Sequence, residues 1–221
     1  MTDREAVIEH IHKAFDPTPY PGDAYLLGSS EGCEPAEEAA PFKGQRDWGA
    51  LDAELLDSRY NALSFFSEAA FRFFLPAYLI ADLLGKLKTA DPLFHLTGGF
   101  HEISVRVPMR TRDFTRRTGG SVLVNPRRYG AITFGDYARY RLSVFTREEA
   151  RAIVAYLHCR RDADVDGLHG AAIDAALDSF WLERAERAPS AESLERHLEE
   201  EKEYLADLSG GPERGAEYTP F

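Results

Sequence analysis

With 221 residues, a formal charge of −11, 44% hydrophobic and 12% aromatic residues, the chain suits one globular domain, or one domain with an extension. The acidic balance makes nucleic acid an unlikely partner, because phosphate is repelled at long range. Two cysteines, Cys33 and Cys159, do not make a disulfide framework, and the charged N-terminus has no apolar signal core, so a cytoplasmic protein is expected.

In chain order, Thr2 and Glu5 spell a capping box that opens a helix over Asp3–Phe15, with Val7, Ile8, Ile11, Ala14 and Phe15 on one face. A proline- and glycine-rich loop follows to Pro41, then a short helix over Trp48–Arg59. The central segment is Ser67–Leu87, SEAAFRFFLPAYLIADLLGKL, with Ser64 or Ser67 as its N-cap and Glu68 favoured at its positive end. Its polar residues Glu68, Arg72, Asp82 and Lys86 fall on one narrow stripe, so the rest of its circumference predicts burial. Arg72, Pro76 and Asp82 exclude a membrane span, and Pro76 predicts a kink. Along the stripe, Arg72 is expected to pair with Glu68 or Asp82.

Between Phe94 and Tyr140, glycine pairs and Asn125-Pro126 punctuate short runs: EISVRV, SVLV, AITF and RLSVF. They predict three or four antiparallel strands. Thr146 and Glu149 form a second capping box, starting a helix with Ala150, Ile153, Val154 and Leu157 inward. A further helix is predicted from about Ala171 to Arg187, burying Ile173, Leu177, Phe180 and Trp181, and a Glu-rich helix over Ala191–Leu208. The expected fold is therefore α+β and mainly helical, with a small antiparallel β-sheet inserted between the central and following helices. Residues 1–187 are expected to form one globular domain, and 188–221 an acidic helical extension with a disordered tail.

The run ALSFFSEAAFRFFLPAYLIADL resembles the hallmark of a family of uncharacterised bacterial proteins, a domain of unknown function. Also similar are the loop Pro19-Tyr20-Pro21-Gly22-Asp23, Trp48 in its helix, the RLSVFTREEARAIVAYL segment, and the pair Phe180-Trp181. The resemblance covers roughly residues 1 to 185 and implies a fold but no activity; residues 186–221 lie outside it.

Three constellations could carry chemistry. Asp162-Ala-Asp164-Val-Asp166-Gly167 reads like the first half of a calcium loop, with hard oxygens at alternate positions before a glycine. Its closing ligand is missing: Ile173 stands where a bidentate Glu belongs, so the plainer expectation is an acidic connector that caps the next helix. His95, His101 and Glu102 bracket a Gly-Gly turn and could meet across a hairpin to bind zinc, or each simply decorate a strand. Neither a phosphate-binding glycine loop nor a GxSxG elbow occurs.

The third constellation is basic: from Arg106 to Arg141 the local charge is +7, whereas from Glu186 to the end it is −6. Arg106, Arg110, Arg112, Arg116, Arg117, Arg127 and Arg128, interleaved with aromatics, are expected to form a protein interface or to meet the chain's own acidic helix. The acidic helix is expected to dock there, or on a second copy, through Leu194, Leu198 and Leu205. These readings point to a non-catalytic protein-interaction module, an adaptor or neutralising partner. Its partner is a protein or a second copy of itself, with no cofactor and no membrane. The alternative is a small metal-dependent enzyme using His95, His101 and Glu102.

Overall fold

The computed structural model describes residues 3–28, 33–100, 104–109, 112–117 and 134–210, with side chains along the two strands and at 134–136 and 208–210 outside the description. Helix α1 (Asp3–Phe15) buries Val7, Ile11 and Phe15, the face its spacing predicts. The loop after it contains α2 (Glu34–Ala39), led by Pro35 in its first turn. Trp48–Ala50 is a single 3₁₀ turn, broken at Leu51 and Asp52 before α3 (Ala53–Ser58), and α4 (Ala62–Phe65) is one turn long.

Helix α5 (Glu68–Leu83) is the axis of the molecule. Ser67 caps it by accepting from the Ala70 amide, and all but three of its sixteen residues are buried. It ends where the sequence stops favouring it. Gly85 sits at φ 67, Lys86 N–H donates to Ala81 O and Gly85 N–H to Asp82 O, the paired bonds of a glycine-terminated helix. The segment before it is zipped on: Gly28 N–H donates to Phe65 O and Ser67 N–H to Leu26 O, both at 2.8 Å. A Cβ on Gly28 would lie 2.9 Å from Phe66 O, which is why this contact needs glycine.

Around α5 stand α1, α3, α6 (Pro92–Thr97), the Leu142–Val144 turn, α8 (Arg147–Asp162) and α11 (Ala191–Gly210). Helix α1 also packs along α8, and α9 (Gly170–Ala176), a π turn at Leu177–Trp181 and α10 (Leu182–Glu186) close the far side. Two aromatic groups fill the interior. Tyr20, Phe42, Phe66, Phe73 and Phe74 meet mostly edge to face at one end, and Phe15, Phe71, Phe145, Phe180 and Trp181 at the other. The Pro19–Asp23 motif belongs to the first group: the Tyr20 hydroxyl donates to Asp23 Oδ1, which also accepts the Gly44 amide at 2.9 Å. Burial, then this bond to Asp23, pushes the Tyr20 phenol up to about 12.

The α+β expectation is corrected: the fold is mainly helical, and helices and their connectors form its core. In place of a sheet of three or four strands, the described residues hold a single antiparallel ribbon, β1 (Ser104–Met109) with β2 (Arg112–Arg117). RLSVF is not a strand. Its arginine ends α7 (Phe134–Arg141), and Leu142–Val144 is a 3₁₀ turn, with the Ser143 hydroxyl donating to Arg139 O four residues back. Leu142 and Val144 both point inward from this turn, so an alternation that reads as period two is satisfied without a strand. The SVLV run and most of AITF lie outside the described residues. Among the described residues no helix is long and apolar enough to cross a membrane.

Asp57 ties the connector between α5 and α6 to α3, its Oδ1 accepting the amides of Lys88, Thr89 and Ala90 at 2.7–3.0 Å. The Thr89 and Ala90 bonds chiefly hold its carboxyl below the ordinary 3.8. A depressed folded value means stability is present above the unfolded pKa and is lost as pH falls through the folded one. Asp57→Asn is therefore expected to flatten the loss of stability below about pH 4, read by urea titrations across acid pH. An unchanged acid slope would contradict it.

Candidate functional site

Of the polar stripe, Glu68 and Arg72 are buried and Asp82 is partly buried, while Lys86 lies past the end of α5 and is exposed. The described side-chain contacts of the first three reach α8 and α11. Arg72 does not pair with Glu68 or Asp82: its Nε meets both oxygens of Glu149, at 2.9 and 3.0 Å. Glu149 is the third helical residue of the expected Thr146 capping box, whose two reciprocal hydrogen bonds are both present, and it also accepts from the Thr18 hydroxyl at 2.7 Å. Asp82 instead accepts from the Tyr156 hydroxyl at 2.6 Å and faces Arg160. Burial raises the Asp82 carboxyl against the lowering effects of both partners.

At the N-terminal end of α5, the stripe meets the acidic helix. Glu201 of α11 accepts the Glu68 amide at 2.6 Å and the Ala69 amide at 2.9 Å, so a carboxylate 133 residues away supplements the Ser67 cap. Such free amides and the positive helix end favour an anion. Glu68 Oε2 lies 2.6 Å from His197 Nε2, and the Tyr140 ring packs on the imidazole at 4.8 Å. Leu194 and Leu205 are buried and Leu198 is partly buried, so α11 docks on its own chain through its leucine stripe, but the surface it meets among the described residues is not the expected arginine-rich strands. Its packing among the described residues is against α5 and Leu142–Val144. Whether it also touches the strand arginines lies outside the described side chains.

Glu201→Ala is expected to cost about 1–2 kcal/mol in urea unfolding, the size of a lost helix cap in a partly buried site. It should also speed amide exchange across residues 192–207. Exchange as slow as in the wild type would mean that the leucines alone hold α11.

Beside this junction Arg141 of α7 donates from Nη2 to Leu63 O at 2.6 Å, with its guanidinium 4.6 Å over the Phe71 ring. Burial lowers its pKa, opposed by Tyr137 and Glu201. His95 lies between Phe71 and Phe94, and burial, reinforced by the Arg141 charge, pulls it down to about 3. It is a neutral imidazole at any physiological pH. Two hollows flank the region. One is a groove of about 600 Å³ between the start of α8 and α11, lined by Arg72, Arg147, Leu194, Leu198 and Lys202 among others. The other is a cavity of about 210 Å³ lined by His95, Tyr137 and Arg141.

The predicted sites are placed as follows. Asp164 accepts the amides of Leu168, His169 and Gly170, the capping role of the plainer reading. Burial works against its ionisation, but the three amides outweigh it and lower the pKa. Asp174 pairs with Arg161 through two bonds of 2.8 and 3.0 Å. Asp162 and Asp166 do not join Asp164 in a metal cluster: among the described residues no three His, Cys, Asp or Glu side chains could hold an ion. His101 and Glu102 lie outside the described residues, so His95 is the single member of that trio placed. Arg106, Arg112, Arg116 and Arg117 lie on the ribbon, and Arg110, Arg127 and Arg128 lie outside the described residues. Cys33 and Cys159 are unpaired, and burial raises the Cys159 thiol, which suits a packing group rather than a nucleophile.

Sequence reading missed Arg141, His197 and Glu201 as a cluster. Glu201 sits in a run of glutamates and His197 stands alone in a charged helix, and the one usable signal was Arg141, a charge beside the apolar Leu142 and Val144. Comparison with protein-family models, with curated proteins and with solved structures yields no match.

Proposed function

We propose that this protein is a non-catalytic protein-binding module, an adaptor or neutralising partner whose target is a basic protein. The observation that carries this reading is the way α11 is mounted. His197, Glu201, Leu194 and Leu205 face the core, while Glu192, Glu195, Glu199, Glu200, Glu203 and Asp207 remain exposed along its outer side. A clamped acidic ridge presents its charges in fixed geometry, which steers a basic partner and sets orientation. The buried carboxylates Glu68, Glu149 and Glu201 are engaged in caps and ion pairs, which supports structural roles for them. The unpaired cysteines support a reducing, cytoplasmic setting.

The triple charge reversal Glu195→Lys, Glu200→Lys, Glu203→Lys tests it, with amide exchange confirming that α11 stays docked. Immobilised wild-type protein should retain a basic partner from cells of its source in low salt. The triple variant should lose that partner, and so should the wild type in high salt. Retention of the same proteins by both forms would refute the role of the ridge.

A further inference from the structure

We propose that the cavity beside Arg141 is a binding site for a small organic carboxylate, a site that goes beyond the protein-binding reading and does not depend on it. Arg72 and Arg141 both stand at junctions of α5 with its neighbours, but they are answered differently. Arg72 has both oxygens of Glu149. Among the described residues, Arg141 makes one hydrogen bond, to a backbone carbonyl, and otherwise lies over the Phe71 ring. A guanidinium carries five N–H donors in a planar fork that matches a carboxylate. Arg141 is partly buried, and among the described residues no carboxylate hydrogen-bonds to its guanidinium as Glu149 does to its twin. Glu201 contributes its field to Arg141, but its oxygens sit on the α5 amides.

The space for that anion is present, because Arg141 lines the 210 Å³ cavity. At about 30 Å³ per water, this volume suits a molecule of roughly seven to ten heavy atoms. Its walls choose the chemistry. Phe94, Gly98, Ala138 and Leu142 are apolar, so the body of the ligand is hydrocarbon or aryl. His95 is neutral here, and offers a polar edge without a second charge. One guanidinium facing an apolar chamber favours a monoanion over a phosphate dianion, which needs several donors to replace its hydration. Phe94, 63% exposed, stands at the rim where an aryl ring would enter.

Benzoate is the probe, titrated into the full chain by calorimetry, with benzamide as its neutral isostere and inorganic phosphate as the competing anion. Benzoate should bind saturably at one site and raise the melting temperature, with benzamide at least about tenfold weaker. Arg141→Gln should weaken benzoate by at least about tenfold. Ala138→Leu, which fills the chamber and leaves the guanidinium in place, should abolish binding while the circular dichroism is kept. The comparison of benzoate with benzamide on the wild type decides the matter even where a variant fails to fold. Absence of saturable benzoate binding at millimolar concentration, equal affinity for benzamide, tighter binding of phosphate, or full binding by a folded Ala138→Leu would each overturn the proposal.

Discussion

Arg72→Ala is expected to lower the unfolding free energy by about 3–5 kcal/mol, one of the two largest single-residue effects in this chain. The loss comes from what is left behind. Glu149 is 1% exposed, and without Arg72 its carboxylate keeps only neutral hydrogen-bond donors, the Thr18 hydroxyl and the Thr146 amide, the nearby Arg184 being bonded to the Ser143 and Phe145 carbonyls instead. A buried charge without a counter-charge is far more costly than the pair is stabilising, so the double variant Arg72→Met, Glu149→Gln should be less damaged than the sum of the singles. Urea unfolding of the four proteins gives the coupling directly. A midpoint for Arg72→Ala equal to that of the wild type would show that the α5 stripe faces water after all.

Trp181→Ala should cost a similar amount, about 3–5 kcal/mol, for a different reason. Trp181 is fully buried in the π turn between α9 and α10, its ring packed on Phe145 and Phe180. Its Nε1–H donates to Leu96 O at 2.9 Å, tying this turn to α6. Truncation removes the packing and leaves both a cavity and an unanswered carbonyl. Trp181→Phe keeps most of the ring volume and loses the bond, so it should fall between the two. Thermal and urea unfolding should rank wild type, Phe and Ala in that order. Equal stability of the Phe and Ala variants would assign the whole effect to the Leu96 bond.

The two predictions differ in how far the sequence could support them. Trp181 was legible as a core residue, because an aromatic at helical spacing from Ile173 and Leu177 has one sensible direction to face. Helix ends were legible for the same kind of reason. Ser67, the Thr146–Glu149 box and Gly85 act on amides and carbonyls within four residues, so their chemistry is complete in the local string. The same holds for Asp164, whose capping of the next helix needs only the amides of Leu168 to Gly170.

The tertiary structure decided whatever depended on a distant partner. A stripe of Glu68, Arg72 and Asp82 is compatible with self-pairing, with water, or with other helices, and the local string favours the first. Packing α8 and α11 against α5 chose the last, with partners 77, 74 and 129 residues away. The RLSVF run shows the same limit: alternating apolar residues state that Leu142 and Val144 point inward, but not whether a strand or a tight turn delivers them. Glu199, Glu200 and Glu201 are chemically identical neighbours, and only the rotation of α11 about its leucine stripe carries Glu201 to the amides of α5 and leaves the other two in solvent. The sequence by itself determined that this chain is acidic and built on one long apolar helix. Which charges are buried, and which remain to meet a partner, was set by how the helices turn as they pack.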